Sequence, residues 1–423
     1  MTVKRFDADS WLSSPMSRRR LDLSQVAKER EVVGGICARV AAEGDRALRE
    51  LGKKFDGWSP VEGDSFEVPH HQLAAAADAL PTADRAALEL AAERIRAFHV
   101  RQLQPVSTGL PGLKLVTRPV RRAGLYAPGG RAAYPSTVLM TVIPARIAKV
   151  PEVVLATPPR PDGSVPTAIL AAAHIAGVDA VYRVGGAQAI AALSYGTESI
   201  PRVDVVAGPG NIYVTLAKRE VFGSVGLDGI AGPTEVMVVA DDRARPDFVA
   251  ADLAAQLEHD PLAWAVLVTD SARLADRVEE ELESLIRGLE RKEIIRQAGC
   301  CIVVAHDIDQ AMRIANDFAP EHLLIVTADA RRRAAQVENA GAVFVGPFAT
   351  VPLGDYVAGP NHTLPTAGAA RFASPLGVHT FLKRMSVIDL SRGELETLST
   401  ACIRLAALEG LDGHAHAVEV RRE

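Results

Sequence analysis

Apolar positions change their period along this chain. From Gln25 to Phe55, Val26, Val32, Val33, Ile36, Val40 and Leu48 recur at roughly helical spacing. From Leu73 to Leu103 an Ala-rich stretch carries Leu80, Leu88, Leu90, Ile95 and Phe98 in the same way. Both predict helices, separated by a turn-rich loop from Asp56 to His71. Leu115 to Ala123 is strand-like and runs into a Gly/Pro turn. Short continuous apolar runs follow at Val153–Ala156, Ala180–Val184 and Val203–Val206, with helical patterns at Ala168–Ala176 and Ile190–Tyr195. Strands that are apolar throughout, alternating with helices, predict parallel βαβ units buried on both faces.

A second series begins at Glu235–Ala240. Further strands are predicted at Ala265–Thr269, Cys301–Ala305, Leu323–Thr327 and Ala342–Val345. Helices are predicted at Pro246–His259, Arg273–Arg287, Ile308–Phe318 and Ala330–Ala340, the first with Pro in its first turn and Pro261 past its end. Two such series predict an α/β protein of two Rossmann-like α/β domains facing each other. Residues 1–24 are polar and basic, broken by Ser13-Ser14-Pro15, and form an arm that must pack on something else to be ordered. Residues 376–423 are mostly helical.

At 423 residues and 45.0 kDa the chain exceeds one ordinary core, which agrees with two domains. A net charge of -5 argues against nucleic acid as the main partner, because phosphate binding needs a concentrated basic surface. None of Cys37, Cys300, Cys301 and Cys402 has zinc-finger or C-x-x-C spacing, and the set fits a reducing compartment. No signal peptide and no membrane span are expected, which points to the cytoplasm.

Gly129, Gly186 and Gly210 each follow a predicted strand, at the carboxyl edge where such folds bind ligands. The strict G-x-G-x-x-G fingerprint is missing, since Tyr213 stands where its third glycine belongs. A dinucleotide would bind here only in an altered way. Pro320-Glu321-His322 leads into an apolar run, and a carboxylate beside an imidazole can divide acid and base work near neutral pH. Alone, the pair fits a surface loop before a strand more readily than a site. Gln256 and His259, three apart near a helix end, can present two ligands to one cation, or His259 can simply meet the helix dipole. Asp355 and His362 lie in a Gly/Pro-rich loop, Val351–Gly368, as a hard oxygen ligand and a hydrogen-bond donor. His414, with His416 two residues on, is a ligand candidate or an exposed tail histidine.

Several blocks occur in order: Tyr126-Ala127-Pro128-Gly129-Gly130, Gly185-Gly186-Ala187-Gln188, Gly208-Pro209-Gly210-Asn211 and Ala231-Gly232-Pro233-Thr234-Glu235. They continue with Gln256-Leu257-Glu258-His259, Pro320-Glu321-His322-Leu323 and Gly359-Pro360-Asn361-His362. With these the chain resembles the histidinol dehydrogenase family from about residue 25 to His414. The resemblance implies four-electron oxidation of L-histidinol to L-histidine through bound histidinal, with two NAD and a zinc ion, in histidine biosynthesis. It implies zinc ligands Gln256, His259, Asp355 and His414, and a catalytic pair Glu321 and His322. Thr234, His362 and Glu409 would join His322 and the zinc ligands in contacting substrate, and Tyr126, Gln188 and Asn211 would contact NAD. It also implies a homodimer with intertwined termini.

The expected organisation is then an arm at 1–24 and a main domain of 25–122 with 234–375, carrying the metal and the catalytic pair. Residues 123–233 would form the NAD-contacting domain and 376–423 the tail. Thr234 departs from the usual Ser and adds a methyl group, while Leu257 and Asp260 replace smaller neighbours without removing a ligand atom. In the expected mechanism His322 accepts the proton in both oxidations and Glu321 activates the water between them. The alternative substrate is another amino alcohol or polyol. A non-catalytic zinc-stabilised protein is disfavoured by the Glu321-His322 pair, and a thiol-based aldehyde dehydrogenase by the lack of a cysteine in a Gly-rich or polar motif.

Overall fold

Two runs of short apolar strands build two parallel sheets. The computed structural model describes residues 3–18, 26–103, 112–129 and 133–422. The strands in its first half are β1 (Val3–Asp7), β2 (Leu113–Pro119), β3 (Arg122–Tyr126), β4 (Glu152–Thr157), β5 (Ala180–Arg183), β6 (Val205–Ala207) and β7 (Gly226–Leu227). They continue as β8 (Glu235–Ala240), β9 (Trp264–Thr269), β10 (Gly299–Val304), β11 (His322–Val326), β12 (Ala342–Val345) and β13 (Leu382–Ile388).

The chain divides into two units. The first, residues 1–102 and 120–381, holds a sheet of order β1-β10-β9-β8-β11-β12 and a sheet of order β5-β4-β3-β6-β7. Every pairing in both sheets is parallel. The alternation along β8 shows why its residues are all apolar after Glu235. Val236, Val238 and Ala240 pack on the side of helices Pro246–Leu257 and Ala272–Gly288. Met237 and Val239 pack on the other side, with helix Ile308–Phe318 and Trp11. The second sheet is covered on one face by helices Ala27–Glu43, Asp45–Phe55, Gly186–Tyr195 and Ile212–Val221. In each sheet the strand order reverses once, between β8 and β11 and between β3 and β6, and such reversals open a crevice at the strand ends.

The second unit, residues 103–119 and 382–423, pairs β2 antiparallel with β13 and adds helices Arg392–Leu408 and Asp412–Glu419. Ser391 and Glu394 cap the longer helix reciprocally. Among the described residues no helix is long and apolar enough to cross a membrane.

The predicted architecture holds, and several details differ. The N-terminal segment is not only an arm, because β1 forms the edge of the first sheet against β10. Residues 19–24 of the predicted arm lie outside the described residues. The helix predicted over 25–55 is two helices, joined at Gly44 with φ +55, where the Glu198 carboxylate accepts the Asp45 N–H. The helix predicted over 73–103 breaks before Pro81. The helix predicted over 330–340 stops at Ala334, the loop from Val351 opens as a helix to Tyr356, and 382–388 is a strand. That strand is largely exposed, so no apolar alternation marks it.

Trp11 is buried, with Phe6 edge-on at 5.5 Å and Phe318 at 6.1 Å. Trp11→Ala is expected to destabilise the protein by about 3–5 kcal/mol in urea unfolding, through the cavity it leaves. An effect below about 1 kcal/mol would mean that β1 and its following helix contribute little to the core.

Candidate active site

Helix Ile308–Phe318 ends at Ala319, a non-glycine residue at φ +54. This left-handed turn sends the chain directly into Pro320, Glu321 and β11. The backbone of the pair is pinned from the next strand, since Gly341 N–H donates to Pro320 O and Ala342 N–H to Glu321 O, both at 2.9 Å. A side chain at Gly341 would collide with the Glu321 carbonyl, its Cβ only 2.6 Å away.

Glu321 and His322 are 6% and 4% exposed, so the surface-loop reading is excluded. They lie at the amino edge of the first sheet, not at the carboxyl edge where ligands usually bind. Glu321 Oε2 accepts from the Thr234 hydroxyl at 2.6 Å and from the Glu235 N–H at 2.9 Å. The Gln256 amide donates to Thr234 Oγ1 at 2.7 Å, which completes a chain from amide to hydroxyl to carboxylate. His322 Nδ1 faces the Glu235 carbonyl at 3.2 Å and Glu321 Oε2 at 3.7 Å. Both are acceptors, so Nδ1 carries the proton of the neutral ring and Nε2 holds the lone pair. Nε2 is buried without a hydrogen-bond partner. Its approach to Asp355 Oδ1, at 3.6 Å, is electrostatic and too long for a hydrogen bond. Burial alone would lower the His322 pKa, but the Glu321 and Asp355 carboxylates outweigh it and push it up to about 9. The two carboxylates thus favour a second proton, on Nε2, and a cation taken up by Asp355 would favour the neutral ring, with Nε2 as its proton acceptor.

Around Asp355 the charges reverse. Burial would raise its pKa, yet His322, His362 and His259 together hold it below the usual carboxylate range. His259 is exposed and lies beyond the helix predicted to contain it, which ends at Leu257. Gln256 commits its amide nitrogen to Thr234, which leaves its carbonyl oxygen as a ligand atom. Amide oxygen, imidazole and carboxylate are a donor set that suits zinc. Among the described residues there is no group of three His, Cys, Asp or Glu that could hold a metal. His414 and Glu409, both exposed, belong to the second unit.

His362 donates from Nδ1 to the Asp355 carbonyl at 2.9 Å and meets Thr137 Oγ1 with Nε2 at 3.2 Å. It thus ties the helix that follows β3, Pro135–Ile147, to the metal-ligand candidates. Asn361 does the same through the Met140 carbonyl, at 2.6 Å.

The three expected NAD contacts stand at the carboxyl edge of the second sheet. The Tyr126 hydroxyl accepts the Gly186 N–H at 3.0 Å, and burial pushes its pKa up to about 12. Asn211 caps helix Ile212–Val221, accepting from Tyr213 and Val214 N–H. Gln188 donates to Asp56 at 3.3 Å. Gly130 lies outside the described residues. Sequence reasoning missed Glu235, Thr137 and Asp56, which act through contacts distant in sequence. Only Glu235 carried a local signal, as a charge heading an otherwise apolar strand.

A family model described as Histidinol dehydrogenase matches residues 17–422. The chain is 48% identical to a histidinol dehydrogenase of Parasynechococcus marenigrum (strain WH8102), over 95% of this chain and 93% of that one. It is 49% identical to one of Aquifex aeolicus (strain VF5), over 92% and 91%. The crystal structure of histidinol dehydrogenase from Elizabethkingia anophelis superposes with a TM-score of 0.90 at 33% identity, covering 100% of this chain and 98% of that one.

Burial pushes the Asp56 carboxyl up to about 6, against weaker opposing hydrogen bonds from Gly185 and Gln188. The protonated form is thus favoured in the fold. Its contribution is complete below the ordinary carboxylate pKa of about 4 and is lost as pH rises through 6. The parent protein should lose roughly 1–2 kcal/mol across this window, after allowance for solvent screening. Asp56→Asn should remove that slope from urea midpoints measured against pH. An unchanged slope would assign it to other groups.

Proposed function

The chain belongs to the histidinol dehydrogenase family, and from that premise we propose that it oxidises L-histidinol to L-histidine. The observation that carries this reading is the buried Nε2 of His322, which makes no hydrogen bond while Nδ1 faces the Glu235 carbonyl. Zinc held by Gln256, His259, Asp355 and His414 would supply a positive anchor for the substrate nitrogens, and NAD against Tyr126, Gln188 and Asn211 the hydride acceptor.

His322 Nε2 takes the hydroxyl proton as hydride leaves the carbinol carbon, which yields the aldehyde. Water then adds to the aldehyde carbon: Glu321 takes a proton from it, the protonated His322 returns one to the carbonyl oxygen, and the product is a geminal diol with His322 again free to accept a proton. His322 takes a diol proton as the second hydride leaves, and the acid forms. Each oxidation releases one proton and one hydride, so one histidinol accounts for two NADH. The Glu235 backbone keeps the two side chains in these separate roles, with its N–H on the carboxylate and its carbonyl on the imidazole. Thr234, which donates to Glu321, keeps the hydroxyl of the usual Ser and adds a methyl beside the substrate. His362 and Glu409 would contact the remaining polar edges of the substrate.

The enzyme is proposed to act in the cytoplasm as a homodimer with intertwined termini, Glu409 and His414 reaching the partner's site. Support comes from the place of both residues in the second unit and from their exposure. Family membership does not favour another amino alcohol or polyol as substrate.

His322→Ala should slow both half-reactions by roughly 10²–10⁴-fold, whereas Glu321→Gln should slow only the oxidation of histidinal by a similar factor. NADH formation measured separately from histidinol and from histidinal distinguishes them. A Glu321→Gln enzyme that makes histidine at the parental rate would refute the division of labour. Chelation should abolish turnover and zinc restore it. If the tail completes the partner's site, mixing dissociated His322→Ala and His414→Ala proteins should regain about a quarter of parental activity. No recovery would place both residues in one chain's site.

A further inference from the structure

The loop after β6 is held by a buried ion pair that the mechanism does not use. Lys218, on helix Ile212–Val221, meets Asp228 at 2.7 Å, with the two side chains only 4% and 3% exposed. Both also bind one residue. Asp228 Oδ2 accepts the Gly208 N–H at 2.8 Å, and Lys218 Nζ donates to the Gly208 carbonyl. Gly208 is therefore gripped at its amide and its carbonyl by opposite charges.

Its conformation leaves no freedom to compensate. Gly208 has φ +120, and a Cβ there would lie 2.1 Å from the Tyr126 carbonyl oxygen. A Cβ at Gly210 would meet Val214 at 2.4 Å. Gly208 thus presses on the backbone of Tyr126 and leads within three residues to Asn211, at the point where the strand order reverses between β3 and β6.

A desolvated lysine–aspartate pair is an expensive way to hold a turn, since its attraction roughly cancels the cost of stripping water from both ions. What it adds is a single geometry, because each charge has one partner ion and one end of the same glycine.

We propose that Lys218 and Asp228 are positioning residues for the dinucleotide, fixing the Gly208–Asn211 loop against Tyr126. This rests on the reading that NAD binds at this edge. Neither residue touches the reacting atoms, so their loss should weaken NAD binding and leave the histidinol and zinc half intact.

The test uses the full-length zinc-loaded enzyme with NAD as probe. In Lys218→Met/Asp228→Asn both charges go together, so no ion is left buried alone. The KM for NAD should rise about tenfold or more, kcat at saturating NAD should change less than about threefold, and the KM for histidinol and zinc content should stay parental. Asp228→Asn, which keeps an acceptor for the Gly208 N–H, should give a smaller rise and serves if the double variant does not fold. A folded variant with parental KM for NAD overturns the proposal and leaves the pair a structural feature only. Failure of the parent itself to bind NAD would instead overturn the cofactor assignment.

Discussion

The parallel pairing of β8 with β11 is the constraint on which the candidate site depends. His322 stands opposite Val236, which brings the Glu235 peptide groups alongside the candidate pair Glu321 and His322. The Glu235 N–H then reaches the Glu321 carboxylate and its carbonyl reaches the His322 ring. A slip of one residue would turn every side chain of β11 to the opposite face. It would place His322 among apolar residues and leave Glu321 without its donors. The buried alternation of Val236, Val238 and Ala240 against Met237 and Val239 resists such a slip, because both faces of the sheet have partners to lose.

That register also explains why charges survive burial here. Glu321 is stabilised by two donors on one oxygen, and Asp355 by the imidazoles around it. His322 is held between the two carboxylates. Each group is compensated by its neighbours, and Nε2 of His322 makes no hydrogen bond within the fold.

The two sheets present their sites on different edges, and hydrogen bonds join them. Thr215 on the helix after β6 donates to Ala231 O at 3.1 Å, and Gly232 N–H is accepted by Thr366. The stretch Ala231–Thr234 thus runs from the helix beside the Gly208 loop into the strand that carries Glu235. Thr137 and His362 make a second link. Hydride transfer between a bound dinucleotide and a bound alcohol requires such a link, since small misplacements of reacting atoms cost large factors in rate.

The amino-acid sequence by itself determined the α/β class, the order of elements and the blocks that reveal the family. Continuous apolar runs and 3.6-residue periods are local, and each block lies within a few residues. The helix breaks at Gly44 and Pro81, the edge strand β1 and the exposed β13 were less legible, because periodicity continues through a break and an exposed strand has no alternation. Which edge of the first sheet bears Glu321 and His322 was decided only by the fold. So were the contacts of His322, the engagement of both His362 nitrogens, and the partners of Glu235, Asp56, Lys218 and Asp228. The reason is sequence separation. The Thr234–Glu321 bond joins residues 87 apart and the Thr137–His362 contact joins residues 225 apart. No local pattern encodes such a distance, and only packing both faces of both sheets brings those groups together.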